Sequence, residues 1–357
     1  MSEHDGDVEI EDRMRRGRPR RRRTAIVVAV VVVGVSLALA SPAGASRTGR
    51  SACRDRIYTV DSYSDQVSVI DADDNAVITT IPVGKAPAWA VFTPDNKQLW
   101  VANNQAASLS VIDVATNTVV RTVPTDDGPI GIAFTPDGTK LVLSYIGGSM
   151  QIFDVATGTA SPVIPVGFDP EQIRITPDGR YVYAASTVQG IYKVDIEHAK
   201  VVEVIPIKDP SGWFLPFPYN LLISRDGSRV YVANTFGGFI AVIDTRTDIV
   251  IKTFSAPGAV GLQLSGDQRR LYVTNFWSSG IDEFDVRTGA KVRASGPTGI
   301  DLPSHLGASP DGTRLYFGQS FDTKLLVFDA VRWKPITTIQ VGVGPNSVAI
   351  CNSSSPR

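Results

Sequence analysis

The chain has little of what most catalytic or metal-binding proteins rely on. Two Cys and three His in 357 residues leave no zinc-finger spacing and no haem-attachment motif. A formal net charge of −1 gives no electrostatic case for nucleic acid. A single long apolar run, near the N-terminus, excludes a polytopic helical membrane protein. No G-x-S-x-G motif is present, so an esterase-type nucleophile is missing as well. What is there is apolar content of 43%, enough for a large core, and 31 Gly and 23 Pro at regular positions. That regularity reads as many turns rather than low complexity.

The first 45 residues read as a secretory signal. Residues 13–23 hold eight Arg, Ala25–Ala40 is apolar or small throughout, and Ala43-Gly44-Ala45 is an A-x-A cleavage site. Cys53 follows Arg50-Ser51-Ala52, not a lipobox. Removal of residues 1–45 leaves 27 basic and 30 acidic residues, a mildly acidic exported chain. An uncleaved signal is the one route to a membrane. Residues 46–52 read as a linker and 352–357 as a disordered tail.

Between them lies a repeat. An apolar pair, a turn of the T/S-P-D-G type, a strand, a loop, a strand ending in Asp, and a further strand recur along the chain. The turn begins at Thr93, Thr135, Thr176, Ser224, Ser265 and Ser309, at intervals of 42, 41, 48, 41 and 44 residues. The Asp that ends the third strand recurs at 71, 113, 154, 195, 244, 285 and 329. Short β-branched segments bounded by Gly, Pro and Asp are strands, and a period near 42 with four strands per unit predicts propeller blades. The seven Asp are expected to cap the turns that follow them, not to act as catalytic acids.

Six turns against seven Asp place the missing turn at the chain ends. Pro345–Cys351 aligns with the start of a repeat and Cys53–Asp61 with its continuation. The expected fold is therefore an all-β, seven-bladed propeller over residues 53–351. Its four-stranded antiparallel blades close where the C-terminal strand joins the N-terminal blade. The same alignment sets Cys53 and Cys351 two positions apart in one turn, which predicts a disulfide across the closure. An oxidising compartment permits it, and on the chain-entropy model it contributes on the order of 5 kcal/mol.

Tyr272-Val273-Thr274-Asn275 spells the motif of the YVTN β-propeller repeat family, with Tyr231–Asn234 and Trp100–Asn103 as near variants. The resemblance covers residues 53–351. It implies a bacterial exported propeller and is nearly silent on function. The repeats also resemble propeller parts of quinone-cofactor amine dehydrogenases and nitrous oxide reductase. Streptogramin-inactivating lyases and sugar lactonases are propellers too.

In such a ring the loops that lead into each inner strand share a face with those between strands two and three. That face collects Trp89, Trp213, Phe214, Phe217, Tyr219, Phe236, Trp277 and Phe321, together with Gln172, Arg174, Asn220, Gln263 and His305. Aromatic platforms with convergent amides suit a sugar, a peptide or another ligand, or an envelope protein. The expectation is a monomeric binding protein or scaffold in the cell envelope or outside it, with no required cofactor. One alternative is a lyase or lactonase-like hydrolase with His305 as general base beside Glu171 or Asp301. Another is a non-catalytic subunit of a redox complex. Lys85, Arg174, Lys208 and Lys324 stand against ten acids on this face, which disfavours a phosphate backbone. Asp61, Asn103, Asn234, Asn275 and Gln319 are oxygen donors that could hold Ca²⁺, although Asn there is part of the repeat.

Overall fold

A computed structural model describes residues 53, 55–210, 212 and 217–351. The signal, linker and tail expectations, and Trp213 and Phe214, lie outside them.

The described residues form seven four-stranded antiparallel sheets and no helix. The innermost strands of blades 1 to 7 are Pro345–Ile350, Pro87–Phe92, Pro129–Phe134, Ile173–Ile175, Pro218–Ile223, Ala259–Leu264 and Pro303–Ala308. Each packs against the next, and the seventh against the first, so the ring is closed. Blade 1 draws Pro345–Ile350 from the C-terminus and Arg56–Asp61, Gln66–Asp71 and Ala76–Pro82 from the N-terminus. Closure leaves no inner sheet edge free to pair elsewhere. Cys53 and Cys351 are joined by a disulfide beside this seam, their Cα atoms 5.8 Å apart.

Local chemistry explains the blades. The middle strands are Val/Ile/Leu/Tyr-rich and buried on both faces, because each sheet is sandwiched between two others. The outer strands are mostly exposed, with occasional half-buried or buried residues. All seven Asp that end the third strands cap the turn that follows. Asp71 accepts from the Asp73 amide at 2.8 Å, Asp154 from Thr157 at 2.9 Å and Asp329 from Arg332 at 2.7 Å. Asp113, Asp195, Asp244 and Asp285 make the same bond.

The turns between strands one and two, on the same face, are held by a hydroxyl donating to the Asp two residues on, as Thr135 does to Asp137 and Ser224 to Asp226, both at 2.6 Å. These hydroxyls hold Asp137, Asp267 and Asp311 below the usual carboxylate range and Asp226 at about 2. Blades are also tied pairwise. The Tyr58 hydroxyl donates to Asn117 of the next blade at 2.8 Å, and Lys193 pairs with Asp248 at 2.7 Å.

Blade 3 departs from the pattern. Its outer strand is reduced to Ile164–Pro165. The resulting side groove between blades 2 and 3 holds adjoining concavities of about 440 and 370 Å³, both bordered by Trp100 and Arg121.

Two outcomes follow. Carboxylates held below their unfolded value stabilise the fold above about pH 4 and lose that effect as the pH falls towards 2. Melting temperature against pH should therefore drop steeply below about 4, and a flat profile down to pH 2 contradicts the capping role. Cys53→Ser should lower the melting temperature by on the order of 8 °C, as should reductant on the native chain. An unchanged melt removes the disulfide as a stabilising element.

Candidate functional site

The site forms where the inner strands bend. Most of them break register at their first residues, between Pro87 and Trp89, Pro129 and Gly131, Pro218 and Asn220, Ala259 and Leu262, and Pro303 and Leu306. Pro has no N–H to give the ladder, so the strand starts where pairing is lost, and a bulge there re-aims side chains. The bulges lie at the mouth of the central funnel. Gly131 allows a close approach, since a Cβ there would stand 2.8 Å from the Glu171 carbonyl of blade 4.

His305, on blade 7, lies on the axis. Its Nδ1 donates to the Asn346 carbonyl of blade 1 at 3.0 Å. Its Nε2 is 3.0 Å from Gln172 Nε2 of blade 4. The ring stands edge-on to Trp89 of blade 2, with centroids 4.6 Å apart, and stacks on Tyr219 of blade 5 at 5.9 Å. One imidazole thus touches four other blades. Because a carbonyl can only accept, Nδ1 carries the proton and Nε2 accepts from the Gln172 amide. Burial pushes the pKa down to about 4 and the Arg174 charge adds to it, so His305 is neutral at pH 7 with both nitrogens engaged.

That tautomer also fixes Gln172. Its amide nitrogen faces His305, and its Oε1 is buried without a donor. Asn220 Oδ1 and Ser347 Oγ, at the equivalent positions of blades 5 and 1, are likewise buried without partners. Arg174, two residues beyond Gln172, lays its guanidinium over Trp89 at 5.5 Å and donates to the neighbouring Ile173 carbonyl at 2.9 Å. Among the described residues no carboxylate pairs with it, and burial pulls its pKa down to about 10. Above lies an acidic lip. Burial, with Asp169 next to it, pushes Glu171 up to about 7, while a hydrogen bond with Tyr219 works the other way. The Glu171 charge, with burial, raises Tyr219 well above the ordinary phenol value.

From this centre an aromatic line runs outward. Tyr219 stacks on Phe217 at 6.3 Å, Phe217 meets Phe236 edge-on at 4.9 Å, and Phe236 leads to Trp277 at 6.1 Å. Phe321 stacks separately on Tyr63, across blades 7 and 1, at 5.8 Å. Trp277, Phe236, Phe321 and Tyr63 are 59%, 52%, 67% and 60% exposed. With exposed Ile146 and Val188 they put a large apolar side chain on six of the seven loops between strands two and three.

The other expected residues are placed differently. Gln263 donates to the Leu264 carbonyl of its own strand and does not join the His305 cluster. Asp301 accepts from Ser279, away from His305. Asp61, buried and pushed up by burial, accepts from Ser68, Thr59, Gln66 and the Gly342 amide. Asn275 ties the Pro257 carbonyl and the Trp277 amide, and Asn103 bonds Ser108 and Ser110. Among the described residues no cluster of three metal-ligating acids, His or Cys occurs. The side groove at Trp100 and Arg121 was missed in the sequence; its signal is the irregular GTASPVIPV stretch where a regular outer strand should be.

Fold and site together define a seven-bladed propeller with a polar axis beneath an aromatic face. Residues 18–147 match the family described as YNCE-like beta-propeller, which with the seven blades fits a propeller of the YVTN type. No curated protein matches the chain. A functionally unknown protein from Desulfotomaculum acetoxidans DSM 771 is similar at 19% identity and TM-score 0.72, over 84% of this chain and 99% of that one. Kuenenia stuttgartiensis hydrazine synthase is similar at 20% identity and TM-score 0.64, over 73% and 88%. The dihydro-heme d1 dehydrogenase NirN, in complex with DHE, is similar at 16% and 0.64, over 85% and 76%. These likenesses carry the fold.

The lip gives a pH signature. A carboxyl whose folded pKa is raised destabilises the fold as the pH climbs from its unfolded value, about 4.5, through 7. Glu171→Gln should remove that decline and make the variant more stable than wild type at pH 8, read by urea midpoints. Parallel profiles for the two proteins contradict the buried placement of Glu171.

Proposed function

We propose that this chain is an exported recognition module that binds a ligand or partner protein on its aromatic top face, rather than an enzyme. The observation that carries the reading is the crown of exposed apolar side chains around the funnel mouth. An exposed apolar patch on a rigid ring is expensive to keep in water and marks an interaction surface. The loops that bear it vary from blade to blade, while the opposite face repeats the same Asp-capped turns. His305 supports binding over catalysis, because neither ring nitrogen is left to take a substrate proton. The disulfide supports an extracytoplasmic setting. The similarity to hydrazine synthase and NirN would fit a propeller serving within a larger redox assembly, and at these identities it supplies no activity.

A double variant, Phe236→Ser with Trp277→Ser, tests the reading. Immobilised wild-type chain should retain a component of the extracellular or envelope fraction of the producing cells. The double variant should retain it at least about ten-fold less, with an unchanged melt. Equal retention by both, or none by either, rejects the top face as the recognition surface.

A further inference from the structure

The buried polar groups on the axis specify a ligand more narrowly than the crown does. Among the described residues Arg174 is a partly buried cation with one backbone carbonyl, an aromatic face and no counter-charge. Such a group is costly unless something negative joins it. Gln172 Oε1 and Asn220 Oδ1 are buried acceptors without donors, from side chains 0% and 3% exposed. Amides in that state call for N–H or O–H groups from elsewhere. The lip above them carries Asp169 and Glu171, with Tyr219 and Trp89 as apolar walls. The funnel is therefore bipolar, acidic and acceptor-rich at its mouth and cationic further along the blade 4 strand. A simple anion would meet the acidic lip, and a simple cation would meet Arg174.

We propose that the funnel binds a small zwitterion of the amino-acid kind. Its carboxylate sits on Arg174, its ammonium donates to Gln172 Oε1 and Asn220 Oδ1 beneath the acidic lip, and its side chain leans on Tyr219 and Trp89. His305 is a positioning residue. By accepting from the Gln172 amide nitrogen it turns Oε1 towards the ligand. The proposal rests on the reading of the top face as a recognition surface and names what its centre holds.

The test is calorimetry and thermal shift on the purified chain with glycine, alanine, leucine, phenylalanine, glutamate and lysine. Leucine amide and 4-methylpentanoic acid serve as the leucine analogues lacking one charge. At least one amino acid should bind and raise the melting temperature. For leucine, each analogue should bind at least about ten-fold more weakly. Arg174→Gln should abolish binding. In ligand-free protein Arg174→Leu should leave the melt unchanged or raise it, because no carboxylate partner is lost. His305→Gln should weaken binding less than Arg174→Gln does. Three results overturn the proposal: no binding by any of the six, equal binding of 4-methylpentanoic acid and leucine, or a drop of several degrees in ligand-free Arg174→Leu. Partner retention through Phe236 and Trp277 does not involve Arg174. A funnel that fails while the double variant still loses its partner removes this proposal and leaves the recognition reading standing.

Discussion

Everything in this molecule depends on closing a ring whose two ends lie far apart in sequence. Seven sheets packed face to face bury their middle strands completely only if the seventh meets the first. The strand Pro345–Ile350 does this by pairing with Arg56–Asp61, and the Cys53–Cys351 bond sits beside the same seam. An open ring would expose the inner edge of blade 1 and the apolar flanks of blades 1 and 7. The tie is made twice, once by a ladder of backbone bonds and once covalently.

Closure also creates the axis. Seven inner strands converge on a narrow funnel, and whatever they point inward loses water. Polar groups there must find one another across the ring or remain unpaired. His305 finds four blades and settles into a neutral, fully bonded state. Gln172, Asn220, Ser347 and Arg174 do not find partners to the same extent. A ring built for stability alone would fill these positions with apolar side chains, as Val91 and Leu222 fill the places equivalent to Arg174 in blades 2 and 5. The proposed recognition role draws on that contrast, with the opposite face left to repeat the same turns.

Much of the architecture was legible because it repeats. The Asp capping each turn, the hydroxyl–Asp pairs and the Pro that starts most inner strands act over two to five residues, so periodicity reveals them. The crown was legible for a related reason. Once the strand order is known, the loop that carries Phe236, Trp277 or Phe321 must lie on the top face. The Gln172–His305 bond was not legible, since it spans 133 positions and depends on the radius of the ring. Nor was the guanidinium of Arg174 over Trp89, which crosses the small Gly131 and Ala133 of the intervening blade. Gln263 stands in the blade 6 inner strand where Arg174 stands in blade 4, yet its amide bonds its own strand.

By itself the sequence determined the number of blades, their boundaries, the seam and the face on which variation falls. These follow from hydrogen bonds and turn chemistry between near neighbours, repeated seven times. The tertiary structure decided which inward-pointing groups meet, which are left without partners, and how burial shifts Glu171 and His305 in opposite directions. Those outcomes depend on distances across the axis and on the exclusion of water, and neither exists until the ring has closed.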